Sequence, residues 1–312
     1  MRHGSSPVSR PGSSIEKGNA LDVYQSVIVT GGGGMLAQDF KRVLNERGVT
    51  PLMARHADCD ISDPDQLARV FETHRPTLVL NCAADTAVDL CEQRVERANA
   101  INGDGPGNLA RACKRWGARL VHFSTDFVFN GQNDRPYRPD DTPDPISAYG
   151  KSKLLGEEAI QQVAPPSWLT IRTAWLFGRY GNCFPKVIVD RARGGHTLRV
   201  VDDQIGCPTY SFDLAVAVLK LLDRGAQGIW HLTNSSETNW FEFAQAILKE
   251  FAVSVEIEAI STAEWIKARP KQAKRPRYSV LDIDAYRVLT GENMRPWYEA
   301  LRDYRTECEK GS

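Results

Sequence analysis

The chain has 312 residues, 42% of them hydrophobic and 25% charged, enough to bury one large core or two unequal ones. Lys+Arg and Asp+Glu both number 39, so no global field points to nucleic acid or to an anionic membrane surface. No apolar run approaches the roughly 18 residues that span a bilayer, and the seven cysteines form no C-x-x-C pair, which argues against a zinc site or a disulfide framework and makes a reducing cytoplasm the expected compartment.

Residues 1–24 are rich in Ser, Gly, Pro and Arg and lack the apolar centre of a secretory signal. They read as a disordered extension outside the fold. Ser26-Val27-Ile28-Val29-Thr30 then reads as a short buried strand, followed at once by Gly31-Gly32-Gly33-Gly34-Met35-Leu36-Ala37. A helix to about Arg47 puts Leu36, Phe40, Val43 and Leu44 on one face. Strand, glycine turn and helix form the context of a dinucleotide fingerprint, here spaced G-x-x-G-x-x-A. Gly31 permits the tight turn, Gly34 lets backbone approach a pyrophosphate, and Ala37 keeps helix and strand close. The pyrophosphate is expected on the helix N-terminus, where unpaired N–H groups point outward.

A second strand, Pro51–Ala54, ends in Arg55, where an acidic residue would favour NAD and an arginine suits the 2′-phosphate of NADP. Asp60-Ile61 precedes a helix over Pro64–His74 and a strand over Leu78–Asn81. The small residues of Cys82-Ala83-Ala84-Asp85-Thr86 allow a cofactor close to the backbone. Helices are expected around Glu92–Asn102 and Gly107–Trp116, and the strand through Leu120–Phe123 ends at Ser124-Thr125-Asp126. Strands and helices alternating at this spacing imply right-handed βαβ units in a parallel sheet, with ligand at the carboxyl ends of the strands.

The next helix, from Ser147 to about Val163, carries Tyr149 and Lys153 four residues apart and so on one face. Packed beside the end of the strand at Thr125, it would bring hydroxyl, phenol and amine to one point. That is a proton-transfer site for a carbonyl or an alcohol. Free tyrosine titrates near 10, and a neighbouring ammonium is expected to lower that value. Beyond Trp168–Arg172 the order is less regular. Helices over Pro185–Arg193 and Phe212–Leu222, a strand over Thr197–Val201 and a strand over Ile229–Leu232 returning to the main sheet are expected. The fold class is thus α/β: a Rossmann-type doubly wound sheet over residues 25–178 and 209–234, with a smaller α+β substrate domain over 179–208 and 235–308. The basic cluster Arg269, Lys271, Lys274, Arg275 and Arg277 reads either as a site for a phosphorylated or nucleotide-linked substrate or as a solvated loop.

From about Ser26 to Tyr304 the chain resembles the dTDP-4-dehydrorhamnose reductases of the extended short-chain dehydrogenase class. The resemblance rests on TGGGGMLA at 30–37, DISD at 60–63, NCAADTAVDLCE at 81–92, NLARAC at 108–113, LVHFSTDFVFNG at 120–131, AYGKSKLLGE at 148–157, IRTAWLFG at 171–178, VVDDQIGCPT at 200–209 and AKRPRYSVLD at 273–282. It implies reduction of the 4-keto group of dTDP-4-dehydro-L-rhamnose with NADPH or NADH. By position, Thr125, Tyr149 and Lys153 become the catalytic set. Gly34-Met35-Leu36, Asp60-Ile61 and Ala84-Asp85-Thr86 match cofactor contacts, while Val88, Thr125-Asp126, Trp175, Asn182 and Gln204 match substrate contacts. Phe127 and Asp85 depart from the family pattern, which frequently has tyrosine at the first and histidine or tyrosine at the second. Some members dimerise through magnesium held by glutamates. A homodimer is therefore compatible with the resemblance, but no metal ligands are assigned. A non-catalytic alternative is the NADP-binding regulatory subunit of methionine adenosyltransferase, which also resembles this family, and a third is a sugar-nucleotide epimerase that retains NAD. The intact Thr125, Tyr149, Lys153, Trp175 and Gln204 favour the reductase.

Overall fold

Six parallel strands form the centre of the protein in a computed structural model that describes residues 24–310. The extension read at residues 1–24 therefore lies outside the described residues, apart from Tyr24. The strands are β1 (Val27–Thr30), β2 (Leu52–Ala54), β3 (Leu78–Asn81), β4 (Arg119–Thr125), β5 (Trp168–Thr173) and, after an excursion, the strand Gly228–His231. Their spatial order is β2-β1-β3-β4-β5 and then Gly228–His231. The chain leaves β1 in one direction to form β2 and in the other to form β3. The crevice at the carboxyl ends of β1 and β3 is therefore the switch point where doubly wound sheets take ligands.

Alternation along the strands assigns the two faces. Val27, Val29, Leu78, Leu80, Val121, Phe123, Leu169 and Ile171 share one core with α1 (Met35–Glu46). Ile28, Val79 and Leu120 share the other with α2 (Pro64–His74) and the helix Gly105–Trp116. Further toward the carboxyl ends, the second face turns polar. Thr30, Asn81, His122 and Thr170 stand in one register row across β1, β3, β4 and β5, and Ser124, Arg172 and His231 stand in the next. All seven are buried.

The cover over these rows is the helix Ala148–Val163. Ser147 caps it by accepting from the Gly150 N–H at 3.1 Å. Gly150 and Gly156 let it lie unusually close to its neighbours. A Cβ on Gly150 would meet the Phe127 carbonyl oxygen at 2.1 Å, and one on Gly156 the Asn102 carbonyl oxygen at 2.2 Å. Its buried Glu157 then receives the guanidinium of Arg172, with Nε at 3.0 Å from Oε1 and Nη2 at 2.7 Å from Oε2.

Between β3 and β4 the structure corrects the expected pair of helices around 92–102 and 107–116. Short helices α3 (Val88–Cys91) and α4 (Val95–Asn99) run into a π-helical turn, Ala100–Asp104, and straight on into α5 (Gly105–Trp116). The wide turn points the buried Asn102 inward, where its Nδ2 donates to the Asp85 carbonyl and to Ser152 Oγ and its Oδ1 accepts from the Asp85 N–H. With the helix over Ala148–Val163 named α6, α5 and α6 lie side by side on this face of the sheet.

A second core gathers β6 (Leu176–Phe177), α7 (Phe184–Arg193), β7 (Leu198–Val201), and the later segments Trp240–Glu250, Ile257–Ile260 and Trp297–Glu309 around Phe177, Ile188, Phe243 and Tyr304. Between these, the helix Asp284–Thr290 returns to the main sheet, where Tyr286 joins the first core. Among the described residues no helix is long and apolar enough to cross a membrane.

Removing one partner of a buried ion pair leaves an uncompensated charge, so Glu157→Leu should destabilise the fold by about 3–5 kcal/mol. The double variant Glu157→Leu/Arg172→Met should regain most of that loss in urea unfolding. Equal instability of the single and double variants would show that the charge left on Arg172 is not what destabilises the single one.

Candidate active site

The glycine turn after β1 is shaped by what lies against it. Gly31 has φ of +64°, and a Cβ there would sit 2.8 Å from the Ala83 nitrogen; on Gly32 it would sit 2.8 Å from the Met53 carbonyl carbon. Gly34 is the N-cap of α1 and supplies no side-chain cap, so the first-turn N–H groups are left to an external acceptor. Bare backbone, a helix N-terminus and the switch point coincide. This cradle fits the diphosphate of a dinucleotide.

Two adjoining cavities extend from it. One, of about 470 Å³, is lined by Gly31, Asp60, Ile61, Ala83, Asp85, His56 and Arg97 among others. The second, of about 520 Å³, is lined by Met35, Leu36, Thr125, Tyr149, Lys153, Trp175 and Asn182 among others. They share Gly34, Ala84 and Thr86. Most of the residues singled out in the sequence therefore fall on one continuous cleft. Arg55 stands exposed at the end of β2, while its neighbour His56 is the residue that lines the first cavity. Gln204 is buried and lines a third cavity of about 340 Å³ with Arg191, Trp240, Trp265 and Arg275. Val88 is the half-buried first residue of α3.

Thr125, Tyr149 and Lys153 line the second cavity together. Thr125, at the end of β4, donates to Asp126 Oδ1 at 3.0 Å and accepts from the Phe127 N–H at 3.2 Å, so its hydroxyl is fixed. The ring of Tyr149 meets Phe127 edge-on at 5.8 Å. The expected lowering of the Tyr149 pKa is not what this structure gives. Burial raises it above the usual tyrosine range, the Thr125 hydroxyl works against that rise, and the carboxylates of Asp126 and Asp85 add to it. The physical reason lies in the lysine. Lys153 Nζ is turned to the strand beneath, donating to the Phe123 carbonyl at 2.5 Å and lying 3.5 Å from His122 Nε2. Burial lowers Lys153 to about 8, with Glu157 and Cys82 opposing.

Sequence reasoning missed several contributors. Trp240 stacks on Trp175 with centroids 3.6 Å apart, and Trp175 itself has φ of +46°, a strained backbone for a bulky residue. Nothing local in the sequence pairs two tryptophans so far apart. His122 did carry a signal, since a histidine inside an otherwise apolar buried strand must find partners. Two of the five residues of the basic cluster are engaged: Arg275 pairs with Asp89 at 3.0 Å and Arg269 lies over the Trp265 ring at 3.7 Å.

The sequence pattern of a family described as the RmlD substrate binding domain matches residues 25–309. The chain belongs to this family. The RmlD-family chain is 41% identical over 283 residues to the spore coat polysaccharide biosynthesis protein SpsK of Bacillus subtilis, covering 90% of this chain and 97% of that protein. It is 36% identical over 296 residues to a dTDP-4-dehydrorhamnose reductase of Mycolicibacterium smegmatis, covering 94% and 89%. A crystal structure of dTDP-4-dehydrorhamnose reductase from Bacillus anthracis in complex with NADP superposes with a TM-score of 0.86 at 34% identity, covering 90% of this chain and 99% of that one.

Asp126 provides a test of the electrostatics. Burial raises its carboxyl from 3.8 to about 6, with hydrogen bonds from Ser279 and Thr125 opposing. Its contribution to stability is thus fully present below pH 4 and is lost as pH rises through 6, a loss on the order of 3 kcal/mol. Asp126→Asn should therefore gain on the parent protein between pH 4 and 7 in chemical denaturation. A difference independent of pH would contradict the raised value.

Proposed function

We propose that this protein is an NADPH-dependent reductase acting on the 4-keto group of a dTDP-4-dehydro-6-deoxyhexose, with dTDP-4-dehydro-L-rhamnose as substrate and dTDP-L-rhamnose as product. The observation that carries this reading is the meeting of Thr125, Tyr149 and Lys153 on a cleft continuous with the glycine cradle.

The cradle at Gly31–Gly34 and the N-terminus of α1 would hold the NADPH diphosphate, and NADPH when bound supplies the hydride. Arg55 and His56 would meet the adenosine ribose and its 2′-phosphate, and Asp60, Ile61, Ala83, Ala84, Asp85 and Thr86 would line its path. Tyr149 delivers the proton to the carbonyl oxygen. Its raised pKa suits this direction of the reaction, because a phenol that keeps its proton at neutral pH is a donor in waiting. When the substrate binds, the Thr125 hydroxyl would turn its hydrogen from Asp126 Oδ1 to the same oxygen and set that oxygen's distance from the phenol. Lys153 binds the nicotinamide ribose from below. Trp175 and Asn182 flank the sugar, with Val88 and Asp126 at its edge. Gln204 leads toward the third cavity, where the arginines and Trp265 suit a nucleotide diphosphate and its base.

NADPH oxidation followed at 340 nm, with the keto-sugar generated in situ, should show turnover on the order of 1 s⁻¹ or faster. Absence of turnover with NADPH still bound would remove this substrate. Tyr149→Phe should lower turnover at least about 100-fold while cofactor affinity stays near that of the parent, as expected for a lost proton donor. Full activity in that variant would refute the donor assignment. Arg55→Ala should weaken NADPH more than NADH, and equal losses would place the 2′-phosphate elsewhere.

A further inference from the structure

Below the cleft, three buried side chains that the chemistry above does not use form a line ending at Lys153. Thr30 Oγ1 lies 2.7 Å from Asn81 Oδ1, Asn81 Nδ2 lies 3.0 Å from His122 Nδ1, and His122 Nε2 lies 3.5 Å from Lys153 Nζ. Thr30, Asn81 and His122 occupy one register row of the sheet, and each is no more than 1% exposed. Burial and the Lys153 ammonium both hold His122 well below the ordinary histidine range, so it stays neutral. A neutral imidazole has one donor and one acceptor nitrogen, and an amide has one end of each kind. The line can therefore be hydrogen-bonded in either of two senses.

In the first sense, Thr30 donates to Asn81 Oδ1 and Asn81 Nδ2 donates to His122 Nδ1. The imidazole hydrogen is then on Nε2 and faces Lys153. That arrangement is satisfied only by an uncharged amine, whose lone pair accepts it. In the second sense, the Asn81 amide is turned over. Its Nδ2 donates to Thr30, its Oδ1 accepts from His122 Nδ1–H, and His122 Nε2 accepts from the Lys153 ammonium. One proton is taken up overall, on Lys153, while His122 stays neutral and changes which nitrogen carries hydrogen. Elsewhere in the same sheet His231 already works in this second way. Its Nδ1 donates to the Tyr137 carbonyl at 3.0 Å, which leaves Nε2 to accept from Arg172 at 3.4 Å.

We propose that Thr30, Asn81 and His122 are positioning residues, a relay whose sense is coupled to the charge of Lys153 and so to the hold on the cofactor. The groups facing the amine are His122 and the Phe123 carbonyl from β4, Cys82 beyond β3, and Glu157 from α6, itself bound to Arg172, while Tyr149, one turn back on α6, lines the same cavity. The Phe123 carbonyl and His122 take two N–H bonds of the ammonium. The third is left for the ribose; the uncharged amine, which accepts from His122 and gives one N–H to the Phe123 carbonyl, also has one to offer, but that of the ammonium is charge-assisted and about twice as strong. This step rests on the reading that Lys153 holds the nicotinamide ribose. Cofactor binding then selects the second sense, and affinity falls as pH rises through the titration of Lys153.

The test uses the full chain without any sugar, so it is separate from the choice of substrate. Nitrogen-15 resonances of His122, identified by their absence from His122→Gln, are recorded from about pH 6.5 to about pH 9.5, a span bracketing the titration. NADPH affinity is measured by fluorescence over the same range. The expected result is a change from the Nδ1–H to the Nε2–H tautomer, with the midpoint at which NADPH affinity declines. Asn81→Asp can only accept from His122 and so fixes the second sense. It should raise that midpoint by at least about one unit, making NADPH roughly tenfold tighter than in the parent on the alkaline side. A single tautomer across the range in the parent protein overturns the relay even if the Asn81→Asp variant fails to fold. So does a folded Asn81→Asp variant with an unmoved midpoint.

Discussion

A lysine, a glutamate and an arginine are held out of water on one face of a parallel sheet, and the placement of α6 follows from them. Burying each charge is costly unless a partner stands at hydrogen-bond distance. Lys153 finds the Phe123 carbonyl and His122, and Glu157 finds Arg172 and Ser124. Lys153 and Glu157 are one helical turn apart, so a shift of α6 along the sheet would strand both at once. Tyr149 lies one turn further toward the N-terminus and inherits the same precision. Replacing such a set with apolar side chains can be neutral or favourable for stability. Its contribution here is register, carried from strand to helix to the phenol.

Close approach supplies the other half of that placement. Without the bare Cα positions at Gly150 and Gly156, α6 could not lie against the Phe127 and Asn102 carbonyls. The π turn at Ala100–Asp104 completes the contact by turning Asn102 toward Asp85 and Ser152. The cofactor side and the proton-donor side of the cleft are thus joined through one asparagine. Rigidity on this side contrasts with the facing wall, where the strained Trp175 is held by its stack on Trp240.

Much of this was legible in the residues, and the exceptions have physical causes. The helix over 64–74 and the strand over 78–81 follow the predicted bounds because capping by Asp63 and an unbroken apolar run are local signals. The segment 92–116 was divided because Asn102, Gly103, Gly105 and Pro106 look like a helix break. The π turn takes up Asn102 and Gly103 instead, and Gly105 and Pro106 open α5. The relation of Lys153 to Tyr149 was half right. Four-residue spacing places both on one face, yet it cannot say that a strand carbonyl lies nearer the amine than the phenol does. Long-range pairings, such as Trp175 with Trp240 and Arg172 with Glu157, depend on topology and leave no local mark. The family motifs located the cleft, while its electrostatics had to be read from the packed molecule.

The edge strand Gly228–His231 pairs with β5 only after the chain has built α7, β7 and the helix Ser211–Asp223, and Asp284–Thr290 comes back later still to cover it. On the ribosome, β5 must therefore wait with an open edge while the first segments of the second core are being synthesised. Neither core is encoded by an uninterrupted stretch, so assembly depends on non-local pairing, which is slow and exposes unpaired strand. The crossing that brings residues from both cores to one cleft thus leaves a strand edge of the nascent chain unpaired until well after β5 is made.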